Sequence, residues 1–281
     1  MTRRGAYVAA LLVLTVLVGG RWIMGRQSVE PLAHAAAQQS APAATPSPAT
    51  PPPSPSPGDS SQQAAAKEPN PKTTTKKPTG PRSKVGPYGS KRLTGSRGVA
   101  LTFDDGPHPN WTPRVLDELR AAKVRATFCV VGTQVRKYPA LVARIVREGH
   151  TLCNHTWNHD LKLGTRPEKE IQADLAATNR EIRRAVPGVK VKYFRHPGGK
   201  WTANAVKVAA GLRMTSLDWD VDPRDWDKPT APTIQQRVLD NVRAGSIVLL
   251  HDGGGDRAGT LAACPAMISA LKRKYGLTLL R

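Results

Sequence analysis

Two adjacent carboxylates, Asp104 and Asp105, close the apolar run Val99-Ala100-Leu101 within Thr102-Phe-Asp-Asp-Gly-Pro107 and are followed at once by a Gly-Pro break. Neighbouring acids in a turn repel each other, so the pair is costly unless a cation or a guanidinium neutralises part of the charge. One carboxylate can hold a metal while its neighbour handles a proton. Downstream, His155-Thr-Trp-Asn-His159 spaces two imidazoles four apart, which on a helical turn brings both to one face. This is not the zincin pattern, because Thr156 rather than Glu follows the first His. Joined to the acidic pair, the imidazoles complete a His₂-carboxylate set that leaves a coordination position for water on a divalent ion. Asp105, His155 and His159 are therefore the expected ligands, with Zn²⁺ the expected ion and another divalent cation such as Co²⁺ able to replace it.

These residues need a scaffold that brings distant segments together, and from Arg97 onward the chain alternates short apolar runs with amphipathic stretches. The pattern predicts strands over 99–103, 126–131, 150–154, 190–195, 214–217, 246–250 and 277–280, with helices over 113–122, 139–148, 166–185, 203–210, 233–243 and 261–275. Thr165 with Glu168 three residues on reads as a capping box for the third helix, with Pro167 in its first turn. Strand-then-helix repetition argues for a mostly parallel sheet clothed in helices, and periodicity alone leaves an open sheet and a barrel equally available. Asp104-Asp105, His155/His159, Arg195–Gly199, Asp222–Trp226 and His251-Asp252 all fall at carboxyl ends of strands, the one edge where loops from different units converge on a shared pocket.

The 281 residues do not all belong to that unit. Arg3 and Arg4 precede an apolar run from Tyr7 to Val18, the charge-then-hydrophobe order of an export segment. Residues 1–34 are read as a cleaved signal peptide or a retained membrane anchor over 5–24; the run is short of the ~20 apolar residues of a full span. Either outcome makes the protein secreted or cell-surface, touching a membrane only through this segment. Residues 35–96, rich in Pro, Ala, Ser, Thr and Lys, cannot bury enough apolar area to offset their ordering entropy and are read as a disordered linker. Residues 97–281 form the expected catalytic domain. The net charge of +21 attracts polyanions. For an exported protein the first of these are anionic wall polymers and lipid headgroups, and no basic-aromatic platform points to a specific nucleic acid. A monomer is expected. Cys129, Cys153 and Cys264 permit one disulfide, and their spacing does not say which.

Five motifs stand in order: Thr102-Phe-Asp-Asp-Gly-Pro107, His155-Thr-Trp-Asn-His159, Arg195-His-Pro-Gly-Gly199, Asp222-Pro-Arg-Asp-Trp226 and Val248-Leu-Leu-His251. In this the region from Arg97 to Arg281 resembles the polysaccharide deacetylases with a NodB-like domain, carbohydrate esterase family 4. The resemblance implies an α/β fold, a distorted (β/α) barrel of about seven strands, and metal-dependent removal of acetyl groups from N-acetylated sugars in peptidoglycan, chitin or related oligomers. It further implies Asp104 as general base oriented by Arg195, Asp105 as metal ligand, and the Gly198 backbone amide as oxyanion donor. His251 becomes the general acid kept cationic by Asp225. Trp226 and Leu249 are implied as a slot for the acetyl methyl, with Pro197 as a further substrate contact. Trp111, Trp157, Trp201 and Trp219 lie near the same loops, where an exposed indole can stack on a sugar ring. Asp222 and Asp252 have the right neighbourhood but no separate task. Cys153 alternates onto the same strand face as His155, which would let its thiol compete for the ion. Two other readings share these residues: an esterase acting on O-acetylated xylan, and a basic wall-binding protein whose pocket is vestigial.

Overall fold

Alternation along the strands sorts side chains into two sets. In β1 (Ala100–Asp104), Leu101 and Phe103 join the large core beneath the helices, whereas Ala100, Thr102 and Asp104 face the opposite way. A computed structural model describes residues 82–280. β1 is flanked by β2 (Thr127–Val130) and β6 (Ile247–His251), followed outward on the β2 side by β3 (Thr151–Asn154), β4 (Tyr193–Phe194) and β5 (Thr215–Ser216). All pairings are parallel, with order β5-β4-β3-β2-β1-β6.

The outer face packs on α1 (Thr112–Ala121), α2 (Gly132–Lys137), α3 (Pro139–Arg147), α4 (Glu168–Ala185), α5 (Ala203–Gly211), α6 (Ala231–Asn241) and α7 (Ala258–Tyr275). Phe103 and Phe128 stack at 5.3 Å between centroids in this layer, an aromatic pair contributing about 1 kcal/mol beyond its burial. The inner face holds a smaller cluster that includes Ala100, Cys129, Cys153, Tyr193 and Ile247.

The sheet is curled, and its two edges are joined by bridges instead of a regular ladder. Val221, just past β5, bridges Val248 of β6, while Lys91 bridges Leu217 and Leu93 bridges Ser246. The expected barrel of about seven strands is thus a six-stranded parallel sheet; the predicted strand 277–280 is reduced to a Val99–Leu277 bridge, with Leu280 plugging the inner cluster.

Residues 82–96, assigned by composition to the linker, run along this seam. Arg82 pairs with Asp220 at 2.5 Å and donates to Ser246 Oγ at 2.9 Å, and Ser90 is buried. Composition signals whether a segment can form a core of its own, not whether it fills a gap in a neighbour's sheet. The signal or anchor read over 1–34, and the linker up to residue 81, lie outside the described residues.

The capping box does not form. Pro167 is itself the N-cap of α4, and Arg166 before it is extended, as a residue preceding proline prefers. Thr165 Oγ1 donates to the Lys162 carbonyl, and Glu168 pairs with Lys207. α2, a single short helix the periodicity did not show, fits against α4 because Gly132 carries no Cβ; one there would meet the Trp157 ring and Thr178 Oγ1.

Candidate active site

β1 and β6 are in register at Asp104 and His251, so the first and last motifs lie side by side. Asp104 is buried and held by Arg195, which has no solvent exposure. Arg195 Nη1 donates to Asp104 Oδ1 at 2.7 Å and to Thr102 Oγ1 at 2.8 Å, Nε to the Leu217 carbonyl at 3.0 Å, and Nη2 to the Asp218 carbonyl at 3.2 Å. A guanidinium so tied fixes one carboxylate oxygen and leaves the other, Oδ2, facing His155 Nε2 at 3.6 Å.

Asp105 breaks from the strand with φ +74°, a strained value for an Asp. Its Oδ1 lies 3.4 Å from His155 Nε2 and 3.2 Å from His159 Nε2. The three candidate ligand atoms all fall within 4.8 Å of one another. His155 Nδ1 donates to the Arg195 carbonyl at 2.8 Å, which leaves Nε2 unprotonated in the neutral ring and free to ligate. The imidazoles meet through a turn rather than the expected helical face: Thr156 and His159 have φ of +66° and +60°. Asn154 builds that turn. Its Oδ1 accepts from the Thr156 N–H at 2.9 Å, and its Nδ2 donates to Leu175 O and Asn179 Oδ1, a buried anchor that nothing in the motif's spacing had singled out.

The donor set fits a divalent cation. Asp105 Oδ1 is buried without a hydrogen-bond donor, a cost that a cation relieves. Burial alone would raise the Asp105 carboxyl, but His155, with His251 and His159, holds it well below the usual carboxylate range. Burial would likewise lower His155, yet Asp104 and Asp105 carry it above the ordinary imidazole value. Both shifts favour positive charge at this point.

Across the site, His251 Nδ1 bonds Asp225 Oδ1 at 2.7 Å, and the His251 N–H donates to Asp225 Oδ2 at 2.9 Å. Thr260 Oγ1 also donates to Oδ2, at 2.7 Å, so Asp225 is satisfied at full burial. Burial opposes the imidazolium, but Asp225 outweighs it, with Asp105 and Asp104 adding to the effect, and His251 is raised to about 9.

The cleft above these groups measures about 470 Å³. Trp226 and Leu249 line it as expected, Trp226 being 43% exposed beneath the Arg224 guanidinium. Gly198 also lines it, with φ +59°; the N–H groups of Gly199 and Lys200 are spent on the His196 and Pro197 carbonyls. Gly199 lies against the Trp219 ring, where a Cβ would come within 2.8 Å. Pro197, expected as a substrate contact, is buried under the turn and is not part of the cleft wall: its ring sets the turn that presents Gly198. Of the other indoles, Trp219 reaches the cleft, Trp201 is buried and bonded to Asp218, and Trp157 lies under Arg136.

Asp222 lines the cleft and caps a local turn by accepting from Arg224 N–H. Asp252 is buried beneath Gly106, bonded to Thr112, and burial pushes its carboxyl up to about 7. Cys153 forms a disulfide with Cys129, directly opposite it in the β2–β3 register, so no free thiol reaches the ligands; Cys264 is free and buried elsewhere.

Three cleft residues escaped the motif reading: Leu161, Arg257 and Gly254, the middle member of the Gly253–Gly255 run. The glycine run was the available signal. Gly254 has φ +69°, and a Cβ there would land on the Asp105 carboxylate. Gly254→Ala is therefore expected to weaken metal binding about tenfold or more with little change in melting temperature. Isothermal titration with Zn²⁺ checks this, and native affinity in the variant would remove the role given to the glycine.

Residues 91–217 match the polysaccharide deacetylase family model. A chitooligosaccharide deacetylase of Sinorhizobium fredii is 39% identical over 188 residues, covering 63% of this chain and 87% of the relative. Among solved structures, a peptidoglycan N-acetylglucosamine deacetylase bound to 4-naphthalen-1-yl-N-oxidanyl-benzamide superposes with a TM-score of 0.63 at 36% identity, covering 69% of this chain and 88% of that one. A CE4 family pseudoenzyme from Bacillus anthracis, 30% identical with a TM-score of 0.62 over 66% of each chain, has the same fold, so the fold by itself does not specify activity. The sequence identity, the coverage of the relatives and the shared curled sheet agree: this chain belongs to the polysaccharide deacetylase family.

Proposed function

We propose that this protein is an exported, metal-dependent hydrolase that removes acetyl groups from N-acetylglucosamine units of a polysaccharide, peptidoglycan or a chitin-like oligomer. The observation that carries the reading is the convergence of Asp105, His155 and His159 between Asp104 on one side and His251 on the other, above one cleft. The export assignment is supported by the charge-then-apolar order at the N-terminus.

A divalent ion held by Asp105, His155 and His159, with Zn²⁺ the choice its nitrogen and oxygen donors favour, supplies Lewis acidity to the acetyl carbonyl and to a water. The remaining work belongs to the chain. Asp104 Oδ2, free of Arg195, takes the proton of the attacking water, while Arg195 keeps the carboxylate aimed. Gly198 N–H donates to the oxyanion that develops on the acetyl carbonyl, where a fixed dipole is worth more than in water. His251, cationic beside Asp225, protonates the departing amine nitrogen, and the slot of Trp226 and Leu249 receives the methyl group.

The test is acetate release by the whole chain, loaded with Zn²⁺ or Co²⁺, from N-acetylglucosamine oligomers, peptidoglycan and acetylated xylan. Release from the amide-linked substrates, lost on chelation and regained with metal, is expected. Release from acetylated xylan alone would make the protein an esterase, and salt-sensitive binding to wall polymers without acetate release would make it a binding protein.

A further inference from the structure

Arg257 is a buried cation that forms no ion pair among the described residues. It ends the Gly253-Gly-Gly-Asp-Arg257 loop at the entry to α7, is 3% exposed, and lines the same cleft as Asp105, His251 and Gly254. Its guanidinium is held from behind by backbone alone: Nε donates to the Gly253 carbonyl at 2.6 Å and Nη1 reaches the Asp256 carbonyl at 3.4 Å. Asp256 does not pair with it, since its carboxylate accepts from the Ala258 N–H at 2.9 Å. The contrast with Arg195, tied to Asp104, is plain. Among the described residues Nη2 has no hydrogen-bond partner, and it lies beside Gly255, where even a Cβ would stand 3.7 Å away. Gly255 has φ +150°, a conformation that keeps side chains out of that approach.

A buried guanidinium without a counter-ion is costly, and when the chain supplies none a ligand can. The fork of a guanidinium matches a carboxylate closely. A multiply charged phosphate is disfavoured here because Asp104, Asp105 and Asp222 line the same cleft. We propose that Arg257 is a specificity-determining residue that binds the carboxylate of an acidic substituent on the glycan, carried by a sugar unit next to the one whose acetyl group faces Asp104 and His251. The assignment rests on the cleft being a glycan site. It makes the natural substrate a polymer that alternates N-acetylated amino sugars with carboxylate-bearing ones, in preference to a neutral homopolymer.

Binding is measured by calorimetry on the whole, metal-loaded chain carrying Asp104→Asn, so that the glycan stays intact. The titrants are a fragment alternating N-acetylglucosamine with a carboxylate-bearing sugar, the same fragment with carboxylates reduced to alcohols, and sodium acetate. The parent is expected to bind the carboxylate form about tenfold or more tightly than the reduced form. Arg257→Gln should erase that preference and Arg257→Lys should keep part of it.

Equal affinity for both fragments in the parent, or a preference that survives Arg257→Gln, overturns the proposal. So does an equal loss on both fragments, which would make Arg257 a support for its loop, or competition by acetate alone through Arg257, which would make it a product site. If Arg257→Gln does not fold, by circular dichroism, the parent comparison and Arg257→Lys still decide. Acetate release with Asp104 intact is scored separately: no release together with an Arg257-dependent preference would sink the deacetylase reading and leave this one standing.

Discussion

Asp104→Asn lowers kcat for acetate release by about 10²–10⁴-fold, the span that a positioned acid or base contributes, while the bound metal is retained. The expectation follows from how the two neighbouring aspartates divide their work. Asp105 turns toward His155 and His159, whereas Asp104 stays in line with β1 and is gripped by Arg195. An amide at position 104 still accepts from Arg195 Nη1, so the fold survives, although the buried guanidinium loses its counter-charge and some drop in melting temperature accompanies the change. Metal content by elemental analysis and kcat by acetate assay separate the two roles. Loss of metal along with activity would move Asp104 into the ligand set, and unchanged acetate release would remove it as the base.

The second large effect is on His251. His251→Ala is expected to reduce turnover of an N-acetyl substrate by about 10²–10⁴-fold and that of an O-acetyl ester by clearly less, because an alkoxide departs without a proton more readily than an amine does. Equal losses on both substrates would mean that His251 does not deliver the leaving-group proton. The pH dependence gives an independent check. Asp225, with Asp105 and Asp104, raises His251 from the ordinary 6.5 to about 9 against the opposing effect of burial. The acid form is therefore present at lower pH and is lost as pH rises through that value, producing an alkaline limb in kcat.

Asp225→Asn removes the largest raising influence, so the limb moves to lower pH. A bound divalent cation lowers the limb in both proteins, and the displacement between them is the diagnostic quantity. The same shift is a stability term. Because the folded-state value is raised, the stabilisation is complete below about 6.5 and fades as pH climbs toward 9. Melting temperature should decline across that window more steeply in the native protein than in His251→Ala.

Much of this site was legible along the chain, for a simple reason. Period-two alternation in a parallel sheet dictates which residues face inward, and chemistry-bearing residues cluster at the one edge where strands end. Asp104 and His251 could be assigned to that edge without knowing their partner strands. The two imidazoles of the ligand set were legible because histidine is scarce and His155 and His159 stand close together, and Asp105 because it is one of two adjacent acids at a strand end. The apolar runs also located every strand of the sheet to within a few residues, while placing a seventh strand at 277–280 where the chain makes only a bridge.

Other features depend on neighbours remote in sequence. The His155–His159 spacing suggested a helical face, but the imidazoles converge through positive φ angles imposed by Asn154, which is itself fixed by Leu175 and Asn179 of α4. The Thr165–Glu168 pattern was overridden by a proline that occupies the cap. Pro197 is buried under a turn whose exposed member is Gly198. Residues 82–96 look like linker by composition and nevertheless seal the seam between β5 and β6, because that seam offers unpaired backbone and an acid, Asp220, for Arg82.

By itself, then, the sequence determined the residue chemistry, the parallel α/β plan and the edge at which the chemistry gathers, since these follow from residue type and strand periodicity. The tertiary structure alone decided which cysteines face each other, which groups reach the cleft, and that Arg257 is buried there with no ion pair among the described residues. Burial and pairing are properties of three-dimensional neighbours, and no local pattern along a chain encodes them.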